Sequence, residues 1–79
     1  MKLEILTPQE KLYDDEIEMV SLPGTIGSFS ILKNHAPIIS TLTSGEIKIV
    51  DKNKNSIKFA IKNGLVEASN NFIYVLAQV

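Results

Sequence analysis

His35 is the only histidine of the chain and the first residue to test for chemistry. A histidine acts as a general acid or base when a nucleophile or a carboxylate lies within hydrogen-bond reach. Its sequence neighbours Asn34, Ala36 and Pro37 supply neither. The chain also lacks cysteine, which excludes thiol nucleophiles and Cys-based zinc sites. We therefore interpret His35 as a structural or interface residue and expect no catalytic residue.

An acidic cluster is the one group of side chains that suggests a metal site. Its members are Asp14, Asp15, Glu16 and Glu18. Calcium and magnesium need several oxygens that converge on one point. Successive side chains of an extended strand point to opposite faces, and the spacing of an EF-hand is absent. We therefore expect a solvated charged surface, with neither a metal nor a cofactor.

The segment Gly24-Thr25-Ile26-Gly27 has two glycines, as many phosphate- and RNA-binding loops do. Such loops precede a helix, and a phosphate-binding loop continues into Gly-Lys-Ser/Thr. Here Ser28 and Phe29 follow, and strand-like patterns flank the segment. We expect a loop whose glycines adopt backbone angles that other residues avoid. Ile26 is apolar at the loop tip, which favours docking against another protein.

The charge pattern argues against nucleic acid as a partner. All eight basic residues are lysines, and nine acidic residues give a net charge of −1. Arginine is the preferred side chain for bidentate phosphate and guanine contacts. Lys48, Lys58 and Lys62 are expected to share the outer face of a hairpin, without interleaved aromatic residues for base stacking. The pattern predicts a solvated face.

Short alternating runs of apolar and polar residues, separated by turn residues, are typical of an all-β domain. No helical period persists over the ~10 residues that a helix requires. Seventy-nine residues suffice for one small domain. We count nine or ten strand segments and predict a β sandwich of about ten strands, in two packed sheets, as a single domain spanning residues 1–79.

Several local features of this sandwich are also predicted. A short run at Leu12-Tyr13 is expected to end at the acidic cluster, and a separate strand follows. In that strand the alternation places Glu16, Glu18, Val20 and Leu22 on one face and Ile17 and Met19 on the other. A polar hairpin tip is predicted at residues 51–55. Tight turns are predicted at Asn63-Gly64 and Asn70-Asn71.

The last run, residues 72–77, is apolar on both faces and predicts an interior strand. Phe59, Phe72 and Tyr74 fit core or inter-sheet positions in these patterns. The run is far shorter than the ~20 residues that cross a bilayer. The opening Met1-Lys2-Leu3-Glu4 has no apolar signal core. The sequence therefore predicts a soluble, cytoplasmic protein.

Residues 21–39, which read SLPGTIGSFSILKNHAPII, resemble the signature of ATP synthase epsilon subunits. That family has a glycine-bounded loop, a short strand and an Asn/Gly-His-Ala-Pro turn in this order. The resemblance continues through the whole chain, at residues 3–8, 42–47, 63–67 and 75–77. The His-Ala-Pro turn with its upstream glycine loop is the most specific part.

The resemblance implies a ten-stranded β sandwich in the rotor of a bacterial F-type ATP synthase, peripheral on the cytoplasmic face of the inner membrane. The domain would link the gamma subunit to the c-ring and couple ion flow to ATP synthesis, without a catalytic site of its own. By position, the residues facing the c-ring would be Gly24, Thr25, Ile26, Gly27 and Ser28. The residues toward gamma would be Thr7, His35, Ala36, Pro37, Ile38, Thr41 and Leu42.

Two departures from the family pattern alter these expectations. Many relatives have an acidic residue in the glycine loop, whereas this loop has Ile26 and Ser28 and no acid. We therefore expect an apolar, backbone-mediated contact with the c-ring. The family's two C-terminal helices also have no counterpart in these residues. The alternative to the family reading is a generic β sandwich that binds protein or carbohydrate, which should expose aromatic side chains for stacking.

Because the helices that bind ATP in some relatives have no counterpart here, we expect no nucleotide binding by residues 1–79. Isothermal titration calorimetry with ATP should give only the heat of dilution. Saturable binding would contradict this expectation.

Overall fold

A computed structural model describes all 79 residues, which form eight β-strands and no helix that could span a membrane. The strands are β1 (Lys2–Leu6), β2 (Lys11–Pro23), β3 (Ser28–Leu32), β4 (Ile38–Leu42), β5 (Gly45–Asp51), β6 (Ser56–Ile61), β7 (Asn63–Ser69) and β8 (Phe72–Gln78).

Strand β2 belongs to both sheets of the sandwich. Its first half pairs with β1, and its second half pairs with β3 and β5. The hydrogen-bonded order is β4-β7-β8-β1-β2-β5-β6, with β3 on the other side of β2. We call β4, β7, β8, β1 and the first half of β2 the first sheet. The second sheet contains β3, the second half of β2, β5 and β6.

The predicted all-β sandwich is confirmed, but the strand count is eight rather than about ten. The two runs predicted on either side of the acidic cluster are one continuous strand of 13 residues. Asp14 and Asp15 pair with Glu4 and Leu3 of β1, so their backbone stays in the ladder. Backbone pairing with β1 overrides the low strand propensity of aspartate.

Because β2 has a β-bulge at Glu18, the prediction of which β2 side chains share a face is wrong. Ile17 pairs with Asp51 and Met19 pairs with Val50, so Glu18 has no partner of its own on β5. An extra residue reverses the alternation beyond it. Ile17 therefore points to the core together with Val20 and Leu22, while Met19 lies on the half-buried outer side.

Fifteen buried apolar residues form one core between the two sheets. Every strand contributes to it, and the alternating positions of each strand face inward. No charged or polar side chain is buried in it. The core residues are Leu3, Ile5, Ile17, Val20, Leu22, Ile31, Leu42, Ile47, Ile49, Ile61, Val66, Ala68, Ile73, Val75 and Ala77.

The turn predicted at Asn70-Asn71 is confirmed, and the one at Asn63-Gly64 is wrong. Asn70 and Asn71 have φ angles of 51° and 58°, as a two-residue hairpin turn requires. Asn63 and Gly64 instead begin β7 and pair with the end of β8. The chain turns one residue earlier, at Lys62, whose amide donates to the Gln78 carbonyl at 2.7 Å.

The polar tip predicted at residues 51–55 is confirmed as the β5–β6 connection. The Asp51 carboxylate accepts hydrogen bonds from the amides of Asn53 (2.8 Å) and Asn55 (2.9 Å). These bonds, that of Asn55 first, hold the pKa of Asp51 below its ordinary value. A carboxyl pKa that is lower in the folded state than in the unfolded state stabilises the fold at pH values above the ordinary carboxyl pKa. This contribution is lost as the pH falls through the pKa of the folded state.

Strand β8 lies between β1 and β7, which confirms the predicted interior strand. Its inner residues are buried, but its outer residues are not covered. Phe72 and Tyr74 are each 42% exposed, so the expectation that they occupy core positions is wrong. Phe59 does pack against the core, where its ring meets Tyr13 edge to face.

Gly64 offers a test of how closely β7 and β8 approach. A Cβ at Gly64 would lie 2.6 Å from the Leu76 carbonyl oxygen, so the Gly64→Ala variant must displace backbone. We expect a loss of about 1–3 kcal/mol in the free energy of unfolding, measured by urea denaturation.

Gly27→Ala is the matched control, because nothing lies within 4 Å of a Cβ at Gly27 and its φ is not positive. The urea concentration at the unfolding midpoint of this variant should equal that of the parent chain or be slightly higher. Equal stability of the two variants would contradict the close approach at Gly64.

Candidate functional site

The glycine loop, residues 23–28, is tied to the neighbouring strand β4. The Thr25 amide donates to the Thr41 carbonyl at 3.1 Å, and the Thr43 amide donates to the Pro23 carbonyl at 2.8 Å. An isolated bridge pairs Gly24 with Leu42. Ile26 stands beyond these bonds with its side chain fully exposed, at 104%. The loop is therefore a fixed platform with an apolar tip.

Gly24 of this loop serves close packing rather than an unusual backbone angle, whereas nothing lies within 4 Å of a Cβ at Gly27. Neither Gly24 nor Gly27 has a positive φ, so the expectation drawn from glycine's conformational freedom is wrong. Gly24 is buried, and a Cβ there would lie 2.6 Å from the Gly27 carbonyl oxygen and 2.8 Å from the Phe29 ring. Gly24 therefore lets the loop fold onto Phe29.

A pair of hydroxyls joins the loop to β4 beside these backbone bonds. The Thr25 and Thr41 Oγ1 atoms lie 2.8 Å apart. Thr41 is an exposed residue on the outer side of β4. One side chain thus links the glycine loop to the outer face of the first sheet.

The His-Ala-Pro corner lies at the start of β4. Asn34 precedes it with a φ of 65°, and its amide donates to the Asn71 side-chain oxygen at 2.9 Å. His35 Nδ1 lies 2.9 Å from the Ala36 carbonyl oxygen, so this nitrogen carries the proton. His35 Nε2 is shielded from solvent and has no hydrogen-bond partner. This geometry provides no base–nucleophile pair.

The residues predicted to face gamma lie at two ends of the first sheet. Leu42 pairs with Gly64, and Gly64 pairs with Ala77, which lies next to the end of β1. Leu42, Thr41 and Thr7 therefore lie at the end of the sheet that is next to the glycine loop.

Four of the predicted gamma-side residues lie at the other end, where β4 begins: His35, Ala36, Pro37 and Ile38. The side chains of Ile38 and Leu42 point inward, and Leu42 is only 2% exposed. Thr41 and the Ala36-Pro37 corner remain accessible.

The outer face of the first sheet carries an apolar patch that the sequence patterns missed. Five of the eight exposed large apolar side chains lie on it. Strand register places Leu65 beside both Thr41 and Leu76, and Tyr74 in the neighbouring row. We call this set the outer apolar face; it consists of Ile39, Leu65, Phe72, Tyr74 and Leu76.

One signal in the sequence points to this face. Strand β8 is apolar on both sides, yet a sandwich of two sheets can bury only one side of each sheet. The second apolar side of β8 is then either uncovered or covered by a partner. Contiguous exposed apolar patches of this kind mark interaction surfaces.

The four residues of the acidic cluster are separately paired. Asp14 forms ion pairs of 3.0 Å with both Lys2 and Lys11, and Glu18 pairs with Lys54 at 2.6 Å. Hydrogen bonds from Lys2 and then Lys11 hold the pKa of Asp14 below its ordinary value. The chain contains no convergent set of three or more metal-ligating side chains.

The remaining partners of the cluster are backbone groups. The Met1 ammonium lies 3.2 Å from Glu16, and the Asp15 carboxylate accepts the Glu16 amide at 2.7 Å. The Met1 contact joins the start of β1 to the middle of β2, whereas the Asp15 contact is local to β2. Apart from Glu18, whose partner Lys54 lies at the β5–β6 tip, the cluster is therefore a structural element of the first sheet.

The lysines and aromatic residues do not form ligand platforms. Lys48 and Lys58 are directly opposite on the outer side of β5 and β6, as predicted, but Lys62 lies beyond the end of β6. The Phe72 and Tyr74 rings are 6.2 Å apart with their planes at 80°. Two perpendicular rings cannot both lie flat against one sugar.

Fold and surface together define a small β-sandwich domain with a tethered loop at one end and an apolar outer sheet face. The chain belongs to the β-sandwich domain family of the ATP synthase delta/epsilon chain, whose family model matches residues 1–79.

Curated relatives of this chain are ATP synthase epsilon chains. The ATP synthase epsilon chain of Campylobacter curvus (strain 525.92) is 43% identical over 77 residues, which are 98% of this chain and 60% of the relative. That of Chlorobium limicola is 36% identical over 77 residues, which are 98% of this chain and 88% of the relative. The chain thus spans about 60% of the length of the Campylobacter relative.

Solved structures share the fold. A chain in the Euglena gracilis mitochondrial ATP synthase OSCP/F1/c-ring structure superposes with a TM-score of 0.89 at 12% identity, over 95% of this chain and 48% of that one. A chain of the Tetrahymena thermophila central stalk/c-ring structure superposes with a TM-score of 0.82 at 19% identity, over 100% of this chain and 63% of that one. These likenesses concern the fold alone.

The hydroxyl pair that ties the loop to β4 is testable by hydrogen exchange. Thr41→Val removes the Thr25–Thr41 side-chain bond and retains the backbone bonds. We expect the Thr25 amide to exchange about 3- to 10-fold faster, as the loss of one hydrogen bond implies.

Ser30→Ala is the control, because it removes the other cross-strand hydroxyl pair, Ser21–Ser30 at 2.8 Å, on the second sheet. It should leave the Thr25 amide unchanged. Unaltered Thr25 exchange in Thr41→Val would show that the backbone bonds alone hold the loop.

Proposed function

We propose that this domain is a non-catalytic rotor subunit of a bacterial F-type ATP synthase, placed between the gamma subunit and the c-ring. Family membership and the names of the relatives support this role. The observation that carries it is the presence of two separate candidate docking surfaces on one β sandwich, joined through strand β4.

The gamma side is the outer apolar face together with the accessible part of the His-Ala-Pro corner. Ile39 and Thr41 on β4 continue into Leu65 and Leu76 without a break in register. The centre of a protein interface is depleted in charge and enriched in apolar and aromatic side chains. The single carboxylate in these rows of β4, β7 and β8 is Glu67, beside Ile39 and Tyr74.

The extent of this face also suits an elongated partner. The predicted gamma-side residues sit at both ends of β4, and the outer apolar face fills the distance between them. A rod-shaped subunit lying along the sheet would contact Thr7 or Thr41 at one end and Ala36-Pro37 at the other. A partner that touched only one end would leave most of the patch in water.

The c-ring side is the glycine loop. Thr25, Ile26, Gly27 and Ser28 are all exposed, whereas Gly24 is buried and supports them. No carboxylate lies within the loop, so Ile26 and the surrounding backbone would make the contact. Full burial of an isoleucine side chain stabilises an interface by about 1.5–3 kcal/mol.

The physical role is mechanical. Forty-eight backbone hydrogen bonds join the strands and turns, and one continuous core holds the two sheets together. Displacing the glycine loop relative to the outer apolar face would break the bonds between the loop and β4. The domain would therefore transmit torque from ring to shaft with little deformation, on the cytoplasmic face of the inner membrane.

The test is assembly of two aspartate variants with the purified rotor, since each places a charge in one proposed interface. Ile26→Asp should weaken binding to the ring about 10- to 100-fold and leave binding to isolated gamma unchanged. Ile39→Asp should weaken binding to gamma by a similar factor. Both affinities are measured by surface plasmon resonance.

Lys52→Asp at the β5–β6 tip is the control, as an exposed residue remote from both surfaces. It should bind gamma and ring like the parent chain. Parent-like binding by both isoleucine variants, or no binding of gamma and ring by the parent, would refute the proposed role.

A further inference from the structure

The β3–β4 connection, residues 33–37, contains the His-Ala-Pro corner and carries the chain from the second sheet to the first. Only His35 is half-buried, and the other residues of the connection are exposed. None of them takes part in an ion pair or in a backbone–backbone hydrogen bond. Exposed segments with few contacts belong to the least stable parts of a fold. A single long-range bond can therefore decide the conformation of this connection.

That bond comes from Asn71, in the turn between β7 and β8. Its side-chain oxygen accepts a hydrogen bond from the Asn34 amide at 2.9 Å, across 37 positions of sequence. No other hydrogen bond joins the β3–β4 connection to another part of the chain. The Asn71 carbonyl also accepts the Lys2 amide at 2.9 Å, so β1 fixes the backbone of the turn. Asn71 therefore ties the connection to the first sheet.

Position 71 needs a residue that suits both its backbone and this bond. Asn71 has a φ of 58°, in the left-handed region, and Asn34 at the other end of the bond has a φ of 65°. Asparagine and aspartate tolerate this region better than other residues with a side chain. Glycine fits the same backbone but offers no side-chain acceptor. Asparagine thus supplies the turn and the hydrogen bond together.

The β3–β4 connection also covers one nucleophilic atom. His35 Nδ1 donates to the Ala36 carbonyl at 2.9 Å, so Nε2 carries the free lone pair of the ring. Nε2 is shielded from solvent and has no hydrogen-bond partner in the chain. A shielded acceptor without a partner favours an open conformation in which water reaches it. The Asn34–Asn71 bond opposes this opening.

We propose that Asn71 is a positioning residue, whose side chain holds the β3–β4 connection closed and keeps His35 Nε2 covered. When the bond opens, Nε2 becomes accessible to electrophiles such as acid anhydrides. This inference goes beyond the proposed function and does not depend on which protein meets the corner. A closed connection presents Ala36 and Pro37 in one conformation, so a partner that binds them loses less conformational entropy than one that must order them.

Modification by diethyl pyrocarbonate tests the proposal, because His35 is the single histidine of the chain. The Nε2 lone pair bonds to a carbonyl carbon of the reagent, ethyl carbonate leaves with the electrons of the broken C–O bond, and Nδ1 releases its proton to water. The rate follows the population of the open connection. Asn71→Gly keeps the left-handed turn and removes the acceptor. Its His35 should be modified about 3- to 10-fold faster, as the loss of one hydrogen bond implies, measured by mass spectrometry.

Two further variants separate the side-chain bond from the turn itself. Asn70 lies in the same turn with a φ of 51°, but its side chain makes no bond to the β3–β4 connection. Asn70→Gly should therefore be modified at the rate of the parent chain. Asn71→Asp retains an acceptor at a position that aspartate tolerates, and its rate should return to near that of the parent. Parent-like modification of Asn71→Gly, or equal acceleration in Asn70→Gly, would overturn the proposal.

Hydrogen exchange distinguishes local opening from a general loss of stability. In Asn71→Gly the Asn34 amide should exchange faster by the same factor as the modification of His35. The amide of Val75, a fully buried residue of the interior strand β8, should exchange as in the parent. Equal acceleration at Val75 would reduce the effect to global stability and contradict a specific role of Asn71.

Discussion

The sharing of strand β2 between two sheets is the constraint on which the rest of the structure depends. Its first half completes the sheet that contains β1 and β8, and its second half organises β3 and β5. The bulge at Glu18 turns Ile17 and Val20 to the same side, so both halves face one core. A bulge bends a strand and increases its twist, which suits a strand that passes from one sheet to another.

This arrangement leaves the second side of each sheet free, and the two free sides differ in character. The outer side of the second sheet is mostly polar, with the Ser21–Ser30 hydroxyl pair, two opposed lysines and one exposed large apolar side chain, Leu32. On the first sheet, the outer apolar face covers β4, β7 and β8, whereas β1 and the first half of β2 carry charged side chains in ion pairs. In a domain whose core holds only 15 residues, an uncovered apolar face of this extent is typical of an interaction surface. The stability gained on binding would add to a small core.

Much of the fold was predictable because strand periodicity and turn chemistry act locally. The hairpin tip at residues 51–55, the Asn70-Asn71 turn and the interior position of β8 follow from such signals. The site was predictable in part: the exposed tip at Ile26 stands out in the sequence, whereas only the second apolar side of β8 points to the outer apolar face. The Glu18 bulge and the strand at Gly64 were missed, because each depends on what the neighbouring strand offers.

The sequence by itself determined an all-β sandwich, a chain without an evident catalytic pair and a family signature from Ser21 to Ile39. Periodicity, residue type and order along the chain are enough for these conclusions. Only the tertiary structure decided that Thr7 and His35 lie at opposite ends of a sheet, that Leu42 is buried and that the outer apolar face is continuous. Contact between residues far apart in sequence depends on strand register, which is set by pairing across the sheet.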